Sequence, residues 1–96
     1  MPAYWIAQYD VLDQAKYDTY AAAAGAILTE KYGAKLLSYG PAANHLEGPE
    51  PKKTCLILEF PNRENAEAAW KDEDYQKARA ARIGALEIQL TLLDGM

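Results

Sequence analysis

The chain has 96 residues, with fourteen acids against ten bases and a net charge of −4. That length sets one domain, residues 1–96, with a single core and a modest stability margin. Acids and bases are mixed along the chain, so no basic stripe exists to hold nucleic acid.

The opening "MPAYWIAQYD" lacks the basic n-region and long apolar h-region of a signal peptide. No apolar run approaches the ~20 residues that span a bilayer. Residues 3–11, "AYWIAQYDV", are aromatic and bounded by Pro2, which predicts a strand. Trp5, Ala7 and Tyr9 point to one side of it, and Tyr4, Ile6 and Gln8 to the other. From Asp13 the period changes. Tyr17, Tyr20, Ala21, Ala24, Ile27, Leu28 and Tyr32 recur at three- and four-residue steps, one face of a long helix. Asp13 suits its N-cap, and Gly33 its C-terminal stop.

"AKLLSY", residues 34–39, predicts a second strand. "GPAANHLEGPEPKK" follows, with prolines 41, 49 and 51 that cannot donate to a ladder, and reads as a loop or broken strand edge. "TCLILEF", residues 54–60, is the third strand. Its single cysteine, Cys55, cannot form an internal disulfide and acts there as a small hydrophobe, which fits a cytoplasmic protein. Pro61-Asn62 opens a second helical region with Asn62 as N-cap and Ala66, Ala69 and Trp70 as a buried stripe. "KDED" interrupts it. "YQKARAAR" resumes it, with Tyr75, Ala78 and Arg82 on one side, and Gly84 ends it. "LEIQLTLL", residues 86–93, alternates Leu86, Ile88, Leu90 and Leu92 against Glu87, Gln89 and Thr91.

The order β-α-β-β-α-β predicts an α+β, ferredoxin-like protomer: a four-stranded antiparallel sheet with two helices on one face. The helices are expected to cover Leu56, Leu58, Phe60 and the leucine side of the last strand. The opposite face is apolar as well, through Ile6, Cys55 and Ile57. A second cover is then needed, and a second copy of the sheet is the economical one, giving a two-fold homodimer. Glu59 falls on this second face, as do Glu87, Gln89 and Thr91.

Several stretches in this order resemble one bacterial family: Asp13 with Tyr17 and Tyr20, "KYGAKLL" at 31–37, "LEG" at 46–48, "ILEFP" at 57–61, "AAW" at 68–70, "DYQ" at 74–76, and Arg82. Together they resemble the family known as domain of unknown function 1330, of the dimeric α+β barrel superfamily. The resemblance implies a ferredoxin-like protomer and a homodimer whose sheets form a barrel, and it implies no reaction. The wider superfamily includes cofactor-free monooxygenases, small isomerases and haem-degrading proteins, an analogy of fold alone. Two motifs depart from the family. Tyr39-Gly40-Pro41 stands where an Arg-Gly-Gly-like run is common, and Lys71-Asp72-Glu73 where Tyr-x-Ser is usual, so roles of those side chains do not carry over.

Each candidate site residue has a structural alternative. Glu59 is a candidate general base, or an interface carboxylate held by hydrogen bonds. His45, the sole histidine, is a candidate proton-transfer group, or an exposed loop residue. Glu47 in "LEG" is a candidate ligand group beside a turn at Gly48. Tyr17 and Tyr20 are pocket or core. Trp70, Tyr75 and Arg82 share a face if their helix is unbroken, and an arginine among aromatics suits a small carboxylate or a flat ring. Tyr39 completes the set of polar groups expected to touch a ligand. No phosphate loop, zinc motif or nucleophile elbow occurs, so neither metal nor cofactor is expected. Three readings stay open: a binder of a small, partly apolar molecule; a cofactor-independent isomerase or monooxygenase using Glu59 or His45; and a dimeric scaffold without ligand.

Overall fold

The computed structural model describes all 96 residues. The elements are β1 (Ala3–Val11), α1 (Gln14–Tyr32), β2 (Lys35–Pro41), β3 (Thr54–Phe60), α2 (Arg63–Lys71), α3 (Glu73–Ala80) and β4 (Leu86–Asp94). The sheet runs β2-β3-β1-β4, every neighbouring pair antiparallel. This is the expected ferredoxin-like arrangement.

Cross-strand register fixes the two faces. Trp5 lies opposite Leu58 and Leu92, and Ala7 opposite Leu56 and Leu90, on the helix side. Tyr4 lies opposite Glu59 and Leu93, and Ile6 opposite Ile57 and Thr91, on the open side. A residue slip would exchange these sets, and the period of two therefore holds the register.

Three helices cover the sheet, one more than the sequence predicts, because the "KDED" interruption is a true break. Asp72 leaves the helical region (φ −58°, ψ 130°), ends α2, and caps α3 by accepting from the Tyr75 N–H at 2.8 Å. The other caps match expectation. Asp13 accepts from the Lys16 N–H at 3.1 Å, and Asn62 from the Asn65 N–H at 2.8 Å. Gly33 ends α1 at φ +70°, a conformation that favours glycine.

Three further expectations need correction. Arg82 lies beyond the end of α3, in the turn leading to β4, so helical periodicity does not place it beside Tyr75. Trp70 is 38% exposed instead of buried. It flanks the core edge-on to Trp5 (6.2 Å between centroids), and the Arg79 guanidinium sits 4.9 Å from its ring. Gly40 and Pro41 belong to β2, not to the following loop. An edge strand tolerates that proline because one side of its ladder is unpaired.

The core forms where α2 and α3 meet β1 and β3. Phe60 packs tilted and Tyr75 edge-on against Trp5, at centroid distances of 5.1 and 5.4 Å, and the Trp5 Nε1–H donates to the Ala66 carbonyl at 3.2 Å. Alanines 66 and 69 are fully buried, which lets α2 lie close on the sheet. Helix α1 packs more closely on α2 and α3 than on the strands, which it meets through side chains such as Tyr17 against Tyr9. Consequently Leu36 and Tyr39 on the helix side of β2 are each 54% exposed, and Leu86, Ile88 and Leu90 are only half-buried.

Candidate functional site

Because α1 stands away from the sheet, a cavity of about 400 Å³ lies between them. Sixteen of its nineteen lining residues are hydrophobic, and the other three are Gly25, Thr29 and Arg82. A volume of this size matches small-molecule sites, which are concave and mostly apolar with a few placed polar groups. The floor is Trp5, Ala7, Leu56, Leu58, Ile88 and Leu90 from the sheet, and the roof is Tyr17, Tyr20, Ala24 and Leu28 from α1.

The tyrosine hydroxyls of the lining meet in pairs. The Tyr9 and Tyr17 hydroxyls are 2.7 Å apart, and those of Tyr20 and Tyr75 are 3.0 Å apart. Burial is the main cause that pushes the Tyr9 and Tyr20 phenols far up from their ordinary range. It pushes Tyr17 up to about 12, with the nearby Tyr39 adding to it. These phenols are therefore neutral at physiological pH and act as hydrogen-bond donors. Arg82 is the one charged residue in the lining. It is 7% exposed, and its guanidinium lies 4.5 Å from the Tyr20 ring centroid. Its Nη1 is enclosed and has no hydrogen-bond partner.

Of the residues singled out in the sequence, the cavity brings together Tyr17, Tyr20, Tyr39, Tyr75 and Arg82. It does not bring in the others. Glu59 lies on the open face of the sheet, in register with Tyr4 on β1 and Lys35 on β2. His45 is exposed, and its Nε2–H donates to the Gly48 carbonyl at 2.7 Å, closing a turn in which Gly48 has φ +91°. Glu47 is exposed in the same loop. Trp70 lines a separate groove with Glu67, Lys71 and Leu92, and that groove shares only Trp5 and Leu90 with the cavity.

Tyr9 and Gly25 line the cavity and were not singled out. An inward tyrosine on a strand needs a partner for its hydroxyl, which is a usable signal for Tyr9. For Gly25 the signal is a glycine in the middle of an alanine-rich helix, where it costs stability. No group of three or more His, Cys, Asp or Glu side chains converges to hold a metal ion.

Comparison with known proteins places the chain. The family model described as domain of unknown function (DUF1330) matches residues 2–96. The chain belongs to that family. No curated protein sequence matches. Among solved structures, DUF1330 residues of this chain superpose on a protein of unknown function from Rhodopseudomonas palustris with TM-score 0.80 at 20% identity, covering 99% of this chain and 82% of that one. A dimeric ferredoxin-like protein of unknown function from Jannaschia gives TM-score 0.68 at 14% identity, over 99% of this chain and 100% of that one. SnoaB, a cofactor-independent oxygenase from Streptomyces nogalater, gives 0.66 at 8% identity, over 99% and 93%. At these identities the likeness establishes the fold of this DUF1330 chain.

Proposed function

We propose that this chain is a cytoplasmic homodimer that binds a small, largely apolar molecule in the cavity between α1 and the sheet. The observation that carries this reading is the cavity itself: about 400 Å³, walled by hydrophobic side chains, with tyrosine hydroxyls and one arginine as its main polar groups. A scaffold without ligand gains nothing from holding α1 off the sheet, because filling that space with side chains adds dispersion and burial. The dimeric state of the Jannaschia neighbour and the open face, where Ile6 lies opposite Ile57 with Tyr4 and Cys55 on the same side, support the homodimer.

The fold of the SnoaB oxygenase keeps an enzymatic reading in view. For this chain, proton transfer by Glu59 or His45 on a molecule in the cavity meets a geometric obstacle, since neither residue lines it. Binding therefore stands ahead of catalysis, with Tyr17, Tyr20, Tyr39, Tyr75 and Arg82 as the contacting polar groups.

The test uses small aromatic compounds of naphthalene size, with calorimetry and quenching of tryptophan fluorescence as readouts. Binding is expected in the wild-type chain. It is expected to disappear in Leu58→Trp, whose larger ring occupies the cavity floor, while circular dichroism stays native. If no compound binds, or if Leu58→Trp binds as well as wild type, the cavity is not the site.

A further inference from the structure

We infer that the ligand carries a single anionic head, a carboxylate or an equivalent oxyanion, seated between Arg82 and the tyrosine hydroxyls. This rests on the binding reading above and narrows it to a chemical class. A guanidinium stays charged at all relevant pH, so Arg82 cannot relieve its burial by losing a proton. Buried charges in folded proteins are paired or fully hydrogen-bonded, because an unpaired one forfeits its hydration. Arg82 is 93% buried by its 7% exposure, its Nη1 has no partner, and no ion pair of the protein includes it. The Tyr20 ring beneath it supplies a cation–π contact that orients the guanidinium plane. A ring face does not satisfy N–H donors, which call for an oxygen acceptor.

The phenols sharpen the point. Within each hydroxyl pair, Tyr9–Tyr17 and Tyr20–Tyr75, one O–H donates to the other. The Tyr39 hydroxyl neighbours the first pair as well, and the second O–H of the Tyr20–Tyr75 pair is left to donate elsewhere. The cavity thus offers an unpaired guanidinium and a spare phenol donor, and its lining contains no carboxylate. A head group that only accepts, with one negative charge to balance one guanidinium, fits this inventory. A neutral amide brings its own N–H donors and leaves the charge unbalanced. The apolar remainder of the cavity takes the hydrocarbon body.

The probes are a naphthoate and the matching neutral naphthamide, titrated calorimetrically into the wild-type, Arg82→Met and Arg82→Lys chains. The acid is expected to bind at least roughly tenfold more tightly than the amide in wild type, the scale of one charge-assisted hydrogen bond. Arg82→Met should abolish that preference and Arg82→Lys should keep part of it. Without ligand, Arg82→Met should also melt higher than wild type, because methionine fills the stem's path and removes an unpaired buried charge. Equal affinity for acid and amide, unchanged in Arg82→Met, overturns the anionic head and leaves the cavity reading standing. An Arg82→Met chain that melts below wild type overturns it too, since the guanidinium then serves the fold. Binding of neither probe removes the cavity reading and this inference with it.

Discussion

Asp72 shows how one side chain can join three elements. Its Oδ2 accepts from the Lys31 ammonium at 2.7 Å and from the Tyr32 hydroxyl, while its Oδ1 caps α3. Hydrogen bonding from Lys31, then from Tyr32 and the Tyr75 N–H, holds this carboxyl well below the usual carboxylate range. The folded state therefore binds fewer protons here than the unfolded chain. The stabilisation is fully present above the unfolded value of ~4 and is lost as pH falls below it. Urea titrations at neutral pH and at about pH 3 should show this loss. Asp72→Asn should lower stability at neutral pH, because an amide turns its own N–H₂ toward the Lys31 and Tyr32 donors, and its further loss in acid should be smaller. Asp74→Asn, on an exposed residue 3.8 Å from the same lysine, should change little. The cavity tyrosines work in the opposite direction. Tyr17 rises from the ordinary ~10 to about 12, so its contribution is complete below pH ~10 and disappears as pH climbs through the raised value. Tyrosinate absorbance after a jump to alkaline pH should appear in two phases. Tyr9, Tyr17 and Tyr20 should contribute to the slow phase, which follows opening or unfolding of the chain.

At the scale of elements, α1 carries the feature that most separates this protomer from a filled core. It rests on α2 and α3 and leaves the strands beneath it half-covered. Gly25 sits in the middle of that helix and lines the cavity, and a Cβ built on it meets nothing within 4 Å. Glycine costs about 1 kcal/mol against alanine inside a helix, and no close neighbour here requires it. Gly25→Ala should therefore stabilise the protein by up to about 1 kcal/mol in urea unfolding. Aromatic binding in that variant should stay near wild type, because one methyl group takes little of the volume. Strands β1, β3 and β4 and helix α1 were legible in the sequence because their periods of 2 and 3.6 run uninterrupted over seven or more residues. The division of α2 from α3 was visible only as a charged interruption. Its cause is the capping geometry of Asp72, which depends on Lys31 and Tyr32 some forty positions away. The clustering of Tyr17, Tyr20, Tyr39, Tyr75 and Arg82 could be suspected from residue type, but not their convergence. Arg82 reaches the cavity from a turn, where no periodicity points. Tyr39 reaches it because a bulge between Leu36 and Ser38 returns it to the helix side.

For the molecule as a whole, the two faces of the sheet do different work, and the homodimer proposal turns on the open one. Tyr4, Ile6, Cys55 and Ile57 lie together there, half-exposed in the protomer, and Leu93 beside them is 52% exposed. Glu59 stands among them with Lys35 in register on one side and Tyr4 on the other. A central apolar cluster with polar groups around it is the anatomy of an interface. Ile57→Lys places a charge at the middle of that cluster. Light scattering should then report a monomer at micromolar concentration, and a dimer for the wild-type chain if the proposal holds. Ile57 and the cavity lie on opposite sides of the sheet, so the effects of changing them should be nearly independent. The Ile57→Lys monomer should still bind naphthoate with close to wild-type affinity, and Arg82→Met should still dimerise. Glu59→Gln separates the two roles open to that carboxylate. If it belongs to the interface, the substitution shifts the dimer dissociation constant and leaves naphthoate binding untouched. If naphthoate binding weakens while the dimer persists, the open face and the cavity communicate through the sheet, and the binding site extends beyond the residues that line it in one protomer.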